Sequence, residues 1–130
     1  MTQKKSLILA ITFLIAYSCG KERAETPAKY VRTVEAHKYI GDVKTVCGKV
    51  VESRFVSSGR GHPTYLYIDR PYPDSIFTIV IWGNDRINFD PNPEGYYLYK
   101  SICVTGLIQS HEGVVQIEIN SPKQIWITRN

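Results

Sequence analysis

Short β-rich segments separated by turn-forming residues follow one another along most of this 130-residue chain. The segments are rich in valine, isoleucine, threonine and aromatic residues, and glycine, proline, serine or asparagine residues separate them. This spacing is typical of a small sandwich or barrel, because short strands bury a core only when several of them pack together. The predicted strands are Val43–Phe55, 64–69, 76–82, 101–109 and 114–119, with a last short strand within 121–127.

The order of these segments favours one barrel in particular. Three strands, a short helical connection at GNDRINF and two more strands is the order of the five-stranded Greek-key barrel called the OB-fold. Asn84 is the expected N-cap of this helix, Ile87 is expected to pack inward, and the DPNPEG sequence is expected to end the helix. We therefore predict an all-β OB-fold with a short helical connection between strands three and four. A small sandwich and an SH3-like barrel are the alternatives.

Two glycines lie in the middle of predicted strands. VCGKV places Gly48 in the first strand, and VTGLI places Gly106 in the fourth. A glycine inside a strand often marks a bulge or a tight bend at a barrel corner. The first and fourth strands are neighbours in an OB-fold, so Cys47 and Cys103 are expected to lie close together. In an oxidising compartment an even pair predicts a disulfide, and two buried free thiols are the alternative.

The N-terminus has the pattern of an export signal. Lys4 and Lys5 precede the ten-residue apolar run LILAITFLIA, which is too short to span a bilayer as a helix. We predict a signal peptide over residues 1–18. A core helix at the N-terminus is the alternative.

The residues that end the apolar run resemble the cleavage box of bacterial lipoproteins. In that box a small residue, here Ser18, precedes a cysteine, here Cys19, which is lipidated and becomes the first residue. The usual leucine is replaced by Ala16, and Tyr17 is bulky for its position. The resemblance implies several acyl chains, palmitate among them, on Cys19, and these would anchor the chain stably to a membrane. Ordinary secretion with cleavage nearby is the alternative.

The polar residues 19–33 predict a tether between the lipid and a single folded domain over residues 34–130. The domain is expected to begin with a short helix in VEAHKYIG, ended by Gly41. Removal of the signal peptide takes two lysines with it, so the net charge falls from +4 to +2, with 14 basic and 12 acidic residues. A balance this small does not by itself indicate nucleic acid as the partner.

Several segments together resemble one bacterial family. YIGDVKTVCGKVV, HPTYLYID, PYPDSIFTIVIWGNDRINF, SICVTGLI and SPKQI are similar to small exported OB-fold proteins, described as nucleic-acid-binding lipoproteins or as modules beside secreted nucleases. The resemblance covers residues 36–127, and its most specific parts are the PYP…VIWG segment and the two glycine-containing strands. It implies an OB-fold, nucleic acid as the ligand, and a lipid-anchored place in the bacterial cell envelope, on the periplasmic or surface side.

The sequence PTYLYID alternates apolar and aromatic side chains. Leu66 and Ile68 are expected in the core, which places Tyr65 and Tyr67 on the opposite face of the strand. The next strand alternates in the same way and adds Trp82 to that outer face. OB-folds bind their ligands across this face. Three rings on one exposed sheet predict a platform on which the bases of single-stranded DNA or RNA stack.

Cationic and imidazole side chains flank the predicted platform. Three arginines lie at the ends and loops of these strands, where phosphates would pass, and two histidines lie in the first-second and fourth-fifth loops. The predicted nucleic-acid site comprises Arg54, Arg60, His62, Tyr65, Tyr67, Arg70, Trp82 and His111.

The same aromatic residues have a purely structural explanation. Tyrosine is a good strand former, and cross-strand aromatic pairs stabilise a sheet by about 0.2–1 kcal/mol. Tyr65 and Tyr67 would then only cover the sheet, and the 90–100 loop would bury Trp82. Nearby carboxylates would also repel phosphate. An envelope module that binds a protein or an oligosaccharide through this face is therefore the alternative function. The carboxylates are those of Asp69, Asp74 and Asp85.

The residue pattern favours a binding protein over an enzyme. Asp69 and Asp74 flank Arg70, but no second acidic pair follows to hold a metal for phosphodiester cleavage. The three histidines share no metal-ligand spacing. Neither Cys47 nor Cys103 has a histidine base beside it in the sequence. No catalytic residue, cofactor or metal is therefore expected.

Overall fold

The computed structural model of the chain describes residues 29–89 and 91–129, and most of their regular structure is β. The predicted signal peptide, the lipidation of Cys19 and most of the predicted tether lie outside the described residues. The strands are β1 (Val31–Arg32), β2 (Val43–Phe55), β3 (Thr64–Ile68), β4 (Phe77–Ile81), β5 (Ser101–His111), β6 (Val114–Glu118) and β7 (Ile125–Ile127).

Five of these strands pair around a barrel-like ring. β2 pairs antiparallel with β3 and β3 antiparallel with β4, whereas β4 pairs parallel with β6. The ring continues through the β5–β6 hairpin and returns along an antiparallel ladder from β5 to β2. The short strands β1 and β7 extend the sheet beside β2 and β5. The all-β, barrel-like prediction is confirmed at this level, and the sheet formed by the described residues has seven strands.

Within residues 29–89 and 91–129, four short helical segments connect or flank the strands. They are three 3-10 helices, Thr33–Tyr39, Gly83–Asn88 and Pro122–Gln124, and one α-helix, α1 (Pro93–Tyr96). Within the described residues, no helix has the length and apolar character needed to cross a bilayer.

The connection between β4 and β5 differs from its prediction in three details. Ile87 is 88% exposed, and no other side chain of the 3-10 helix that carries it is buried. The N-cap of that helix is Trp82, two residues before the predicted N-cap Asn84, and its first residue is Gly83. The predicted breaker DPNPEG contains the start of α1, because Asn92 caps the helix and Pro93 takes the first helical turn, where its missing N–H costs nothing.

The two mid-strand glycines lie where their strands change partners. Residues 43–49 of β2 pair with β5, and the residues from Val50 onward pair with β3. A Cβ atom on Gly48 would lie 2.5 Å from Ile68, and one on Gly106 would lie 2.5 Å from Ile117. Only glycine therefore permits the close approach at these two points, as expected for strands that bend around a barrel.

The inner side of the ring is filled with apolar side chains. Leu66 and Ile68 of β3 are fully buried, as their alternation predicted, and so are Phe77, Ile79 and Ile81 of β4. Other strands and the first 3-10 helix complete the core with Val46, Val50, Ile102, Val104, Ile108, Ile117 and Ala36.

An ion pair fastens the β4–β5 connection to the barrel. Arg86 donates from Nη1 to Glu94 Oε2 at 2.8 Å and from Nη2 to Glu94 Oε1 at 3.3 Å, and it also contacts the Thr64 hydroxyl. Its guanidinium carbon lies 3.7 Å from the centre of the Phe55 ring. The Ser53 hydroxyl donates to the Glu94 carbonyl at 2.6 Å. These contacts connect the 3-10 helix, α1 and the start of β3.

Cys47 and Cys103 face each other in the β2–β5 ladder and are joined by a disulfide. Their Cα atoms are 4.1 Å apart, although the residues are 56 positions apart in the sequence. Of the two alternatives that the sequence left open, the structure therefore contains the bonded pair. Two positions away on the same ladder, the hydroxyls of Thr45 and Thr105 make a hydrogen bond of 2.7 Å.

Replacing both Cys47 and Cys103 by alanine should lower the free energy of unfolding by about 2–5 kcal/mol, because the cross-link restricts the unfolded chain. Urea denaturation of the full chain measures this loss. The control is Thr45→Ala with Thr105→Ala, which removes the neighbouring facing pair and should cost only about 1 kcal/mol. Equal losses in the two double variants would contradict the prediction.

Candidate functional site

The outward side chains of β3, β4 and β6 form one continuous surface, which we call the outer face. The register pairs Tyr65 with Val80 and Tyr67 with Thr78, and places Gln116 beside Thr78 and Glu118 beside Val80. β2 continues both rows, since Glu52 faces Tyr67 and Arg54 faces Tyr65. The rows across the sheet are Glu52–Tyr67–Thr78–Gln116 and Arg54–Tyr65–Val80–Glu118.

A groove of about 280 Å³ lies on the outer face. We call it the tyrosine groove, since Tyr65, Tyr67 and Tyr72 line it; Arg54, Thr78, Gln116 and the tip of the β5–β6 hairpin complete its walls. A smaller cleft of about 50 Å³, the tryptophan cleft, adjoins it. Tyr65, His111 and Gln116 line both spaces, so the two form one path across the sheet. The remaining residues of the cleft are Val80, Trp82 and Glu118.

The rings of the tyrosine groove contact one another in a row. The Tyr65 and Tyr67 rings are stacked with their centres 6.1 Å apart, and the Tyr72 ring is tilted 6.0 Å from Tyr67. Tyr67 is only 6% exposed, whereas Tyr72 is 56% exposed. Tyr67 therefore forms the floor of the groove, and Tyr65 and Tyr72 offer the accessible ring surface there.

Burial raises the pKa of the Tyr67 phenol above its ordinary value of 10.0. The nearby Arg54 opposes this rise in the pKa, while Glu52, Tyr65 and Tyr72 add to it. The phenol is therefore uncharged across the physiological pH range, and the floor of the groove presents a neutral ring.

Glu52 holds the exposed side of the tyrosine groove in place. Its Oε2 accepts a hydrogen bond of 2.9 Å from the Tyr72 backbone N–H, and its Oε1 lies 3.9 Å from Arg54 Nη2. The Arg54 guanidinium carbon in turn lies 5.2 Å from the centre of the Tyr72 ring. Arg54 is thus positioned at the groove by a carboxylate and by a ring, with half of its side chain exposed.

The groove and the cleft carry charge of both signs. Arg54 and His111 line them together with Glu112 and Glu118. Gln116 Nε2 donates to Glu118 Oε1 at 3.3 Å, and His111 Nε2 lies 4.0 Å from Glu112 Oε1. The path across the sheet is therefore aromatic and polar, and it is not a uniformly basic channel.

The structure brings five of the eight predicted site residues to this path: Arg54, Tyr65, Tyr67, Trp82 and His111. The other three, Arg60, His62 and Arg70, are exposed but do not line the groove or the cleft that the structure describes. His62 Nδ1 is hydrogen-bonded to the Ser57 carbonyl, within the loop between β2 and β3. This hydrogen bond holds the His62 side chain within its own loop.

Trp82 remains 37% exposed at the end of β4. The loop between β2 and β3 packs on its ring, and a Cβ atom on Gly61, whose φ is +76°, would lie 3.0 Å from it.

Asp69 accepts hydrogen bonds from the Thr33 hydroxyl and the Lys49 backbone N–H, so its carboxylate connects the first 3-10 helix to the barrel.

Among the residues of the path that were not predicted from the sequence are Tyr72, Gln116 and Glu118. Tyr72 lies in a proline-rich turn, and only the fold shows that the turn returns to the sheet. Gln116 and Glu118 did have a signal, because they alternate with buried Val115 and Ile117 along β6. Within the described part of the chain, no group of histidine, cysteine and acidic residues is arranged to hold a metal ion.

No family model and no curated protein sequence matches the chain significantly. Among solved structures, the chain is similar to OBody AM1L10, solved bound to hen egg-white lysozyme, with a TM-score of 0.50 and 16% identity over 80% of this chain and 97% of that one. At this identity the similarity concerns the fold alone.

Two aspartyl-tRNA synthetases also match. The enzyme from Leishmania major gives a TM-score of 0.49 at 10% identity over 75% of this chain, and that from Entamoeba histolytica gives 0.49 at 16% over 79%. The chain spans only 20% and 22% of their lengths. These TM-scores are too low to assign a shared fold.

The Tyr67 phenol should be among the last tyrosines to ionise when the folded chain is titrated with alkali. The unfolded chain loses this proton near pH 10, before the folded chain does, so the free energy of unfolding should fall as the pH rises above that value. Tyrosinate absorbance follows the ionisation, and Tyr67→Phe should remove the late component. A late component that survives in Tyr67→Phe would assign it to another tyrosine.

Proposed function

We propose that the barrel is an OB-fold and that its outer face binds single-stranded DNA or RNA. The strand order supports the fold, because three antiparallel strands are followed by a hairpin whose second strand joins β4 in parallel and whose first strand returns to β2. The similarity to OBody AM1L10, which the chain covers almost completely, is in keeping with it. OB-folds bind oligonucleotides across this part of the barrel.

The aromatic path across the sheet is the observation that carries the proposal. Tyr72, Tyr65 and Trp82 line successive parts of it and each remains accessible. Every base has a π-face, so such rings hold single strands without regard to sequence, at about 1–3 kcal/mol for each stacked base. Thr78 and Gln116, both largely buried, add polar groups to the lining of the groove beside the rings.

Charge contributes less than stacking in this proposal. Arg54 is the arginine that lines the groove, and Arg60 and Arg70 lie exposed in the adjoining loops, where a longer strand would pass. The glutamates of the path oppose phosphates that approach too closely. Since each phosphate contact to a single strand contributes about −0.7 to the logarithmic salt slope, three arginines give a slope of roughly −2 at most.

A lipid anchor at the N-terminus is part of the same proposal. The lipoprotein-like box at Cys19 supports acylation there, and an envelope location follows from acylation after export. The barrel would then capture single strands at the surface of a membrane.

Oligosaccharide binding is the second candidate. The observation that favours it is the presence of accessible rings beside the Gln116 amide and the carboxylates of Glu112, in the groove, and Glu118, in the cleft. Such groups hydrogen-bond hydroxyls while the rings pack against sugar faces, and OB-folds use the same face for oligosaccharides. This candidate predicts binding with almost no salt dependence.

Tyr65→Ala and Trp82→Ala should each weaken the binding of a short single-stranded oligonucleotide by roughly five- to a hundred-fold, since each removes one stacking ring. Fluorescence anisotropy of labelled DNA and RNA, titrated with the full chain, measures the affinity. Tyr99→Ala is the control, because Tyr99 is exposed and lies outside the groove and the cleft. Equal losses in all three variants would show that the path is not the site.

The same titration at several salt concentrations separates the two candidate functions. Affinity that falls with a logarithmic slope of about −0.7 to −2 supports nucleic acid. Absence of binding to DNA and RNA even at low salt overturns that proposal. Binding of an oligosaccharide that is unaffected by salt and is lost in Trp82→Ala would then establish the second candidate.

Cys19→Ala should release the chain from the membrane fraction of bacteria that express it, because acyl chains on this residue supply the anchor. Metabolic labelling with an alkyne-tagged palmitate checks the chemistry directly, and label is expected on the unaltered chain alone. Cys47→Ala with Cys103→Ala is the control, because it removes the two cysteines that are joined in the disulfide and should keep the label. Label that persists in Cys19→Ala would contradict the anchor.

A further inference from the structure

The carboxylate of Glu118 lines the tryptophan cleft, where it would repel a phosphate group. Its floor is the apolar side chain of Val80, and Tyr65, Trp82 and Glu118 stand around that floor. Gln116 and His111 complete the lining. Two rings and an acceptor group thus surround one apolar patch, an arrangement that fits a flat ring with hydrogen-bond donors on its edge.

The register places the ring and the carboxylate on opposite sides of this patch. Val80 is paired with Tyr65 on β3 and with Glu118 on β6. The Cα atoms of Tyr65 and Glu118 are therefore two strand spacings apart, roughly 9–10 Å. A base that lies over Val80 can pack against an aromatic side chain and direct its edge toward β6; the cleft of about 50 Å³ receives that edge, and the rest of the base lies outside it. Trp82 follows two residues after Val80, on the same side of β4.

The hydrogen bond between Gln116 and Glu118 determines which donors and acceptors the edge of a bound base would meet. A carboxylate only accepts, so the Gln116 group that faces it at 3.3 Å is the amide N–H, and the orientation of the amide follows. Glu118 has its second oxygen and further lone pairs available for a ligand, and Gln116 Nε2 has a second hydrogen to donate. The β6 side of the cleft thus presents two acceptor positions beside one donor.

We propose, resting on the proposed binding of single strands, that the tryptophan cleft selects guanine. The Watson–Crick edge of guanine has two adjacent donors, N1–H and the N2 amino group, followed by the acceptor O6. Glu118 accepts both donors and Gln116 donates to O6. Adenine and cytosine place a ring-nitrogen acceptor beside their single amino group, and thymine and uracil place a carbonyl on each side of N3–H, so each would direct an acceptor at the carboxylate.

In this proposal the Glu118 carboxylate contributes to binding, although the ligand as a whole is an anion. Glu118 is paired with Val80 on the side opposite Tyr65, and it lines the cleft over which a base would lie. Unpaired donors and acceptors in a site penalise the wrong ligand more than they reward the right one, so the discrimination rests on the clash of acceptors as much as on the bonds to guanine.

The test uses the purified full chain and decathymidine oligonucleotides that carry one central guanine, adenine, cytosine or hypoxanthine. The guanine oligonucleotide should bind about five- to fifty-fold more tightly than those with adenine or cytosine, the range expected for a bidentate base contact. Hypoxanthine keeps N1–H and O6 but lacks the N2 amino group, so its affinity should lie between. Glu118→Gln should abolish the preference, since its amide cannot accept both donors.

Glu35→Gln is the matched control, because it removes the same charge from the first 3-10 helix, outside the cleft, and should keep the preference. Equal binding of all four oligonucleotides, or a guanine preference that survives in Glu118→Gln, overturns the guanine assignment while the proposed function stands. Absence of binding by every oligonucleotide at low salt overturns the proposed function, and this assignment with it. The comparison of guanine with hypoxanthine uses the unaltered chain, so it decides even if Glu118→Gln is unstable.

Discussion

The antiparallel ladder between β2 and β5 is the interaction on which the rest of the structure depends. Without it, β2 to β6 would form an open sheet with two free edges, and the apolar side chains on its inner side would face water. The ladder runs from Val43 opposite Leu107 to Lys49 opposite Ser101, and the Cys47–Cys103 disulfide makes one of its pairs covalent. Strands far apart in the sequence are thereby held as neighbours.

Closure of the ring between β2 and β5 determines which side chains the opposite side of the barrel can present. β2 and β5 must bend to pair with each other in one half and with β3 or β6 in the other, and the bend requires Gly48 and Gly106. The remaining strands, β3, β4 and β6, then curve around the core with their inner side filled. Their outer face carries the tyrosine groove and the tryptophan cleft. Tyr65, Tyr67 and Gln116 lie there on regular strands, which position side chains more rigidly than loops do, whereas Tyr72 lies in the turn between β3 and β4.

Much of this architecture follows from local patterns. Alternation located the strands and the core residues Leu66 and Ile68, and glycine located the bends, because both effects act within a few residues. Exposure was harder to predict. Ile87 lies in a helix too short to bury it, and Tyr67 is covered by Tyr72, which arrives from a turn whose path no local pattern describes. The same applies to Arg60 and Arg70. Both are close in sequence to strands of the outer face, but they do not line the groove or the cleft.

Charge patterns gave the least information, because a net charge does not say which side chains meet. The aspartates that argued against nucleic acid include Asp69, whose carboxylate is occupied by Thr33 and Lys49 and connects two elements of the fold. The carboxylates that line the path are Glu112 and Glu118, and Glu118 is held by Gln116 beside an apolar floor. A carboxylate at that place repels a phosphate but accepts from a base edge. In the proposed complex with a single strand, Glu118 would therefore bear on which base is bound, while the rings and Arg54 would supply the affinity.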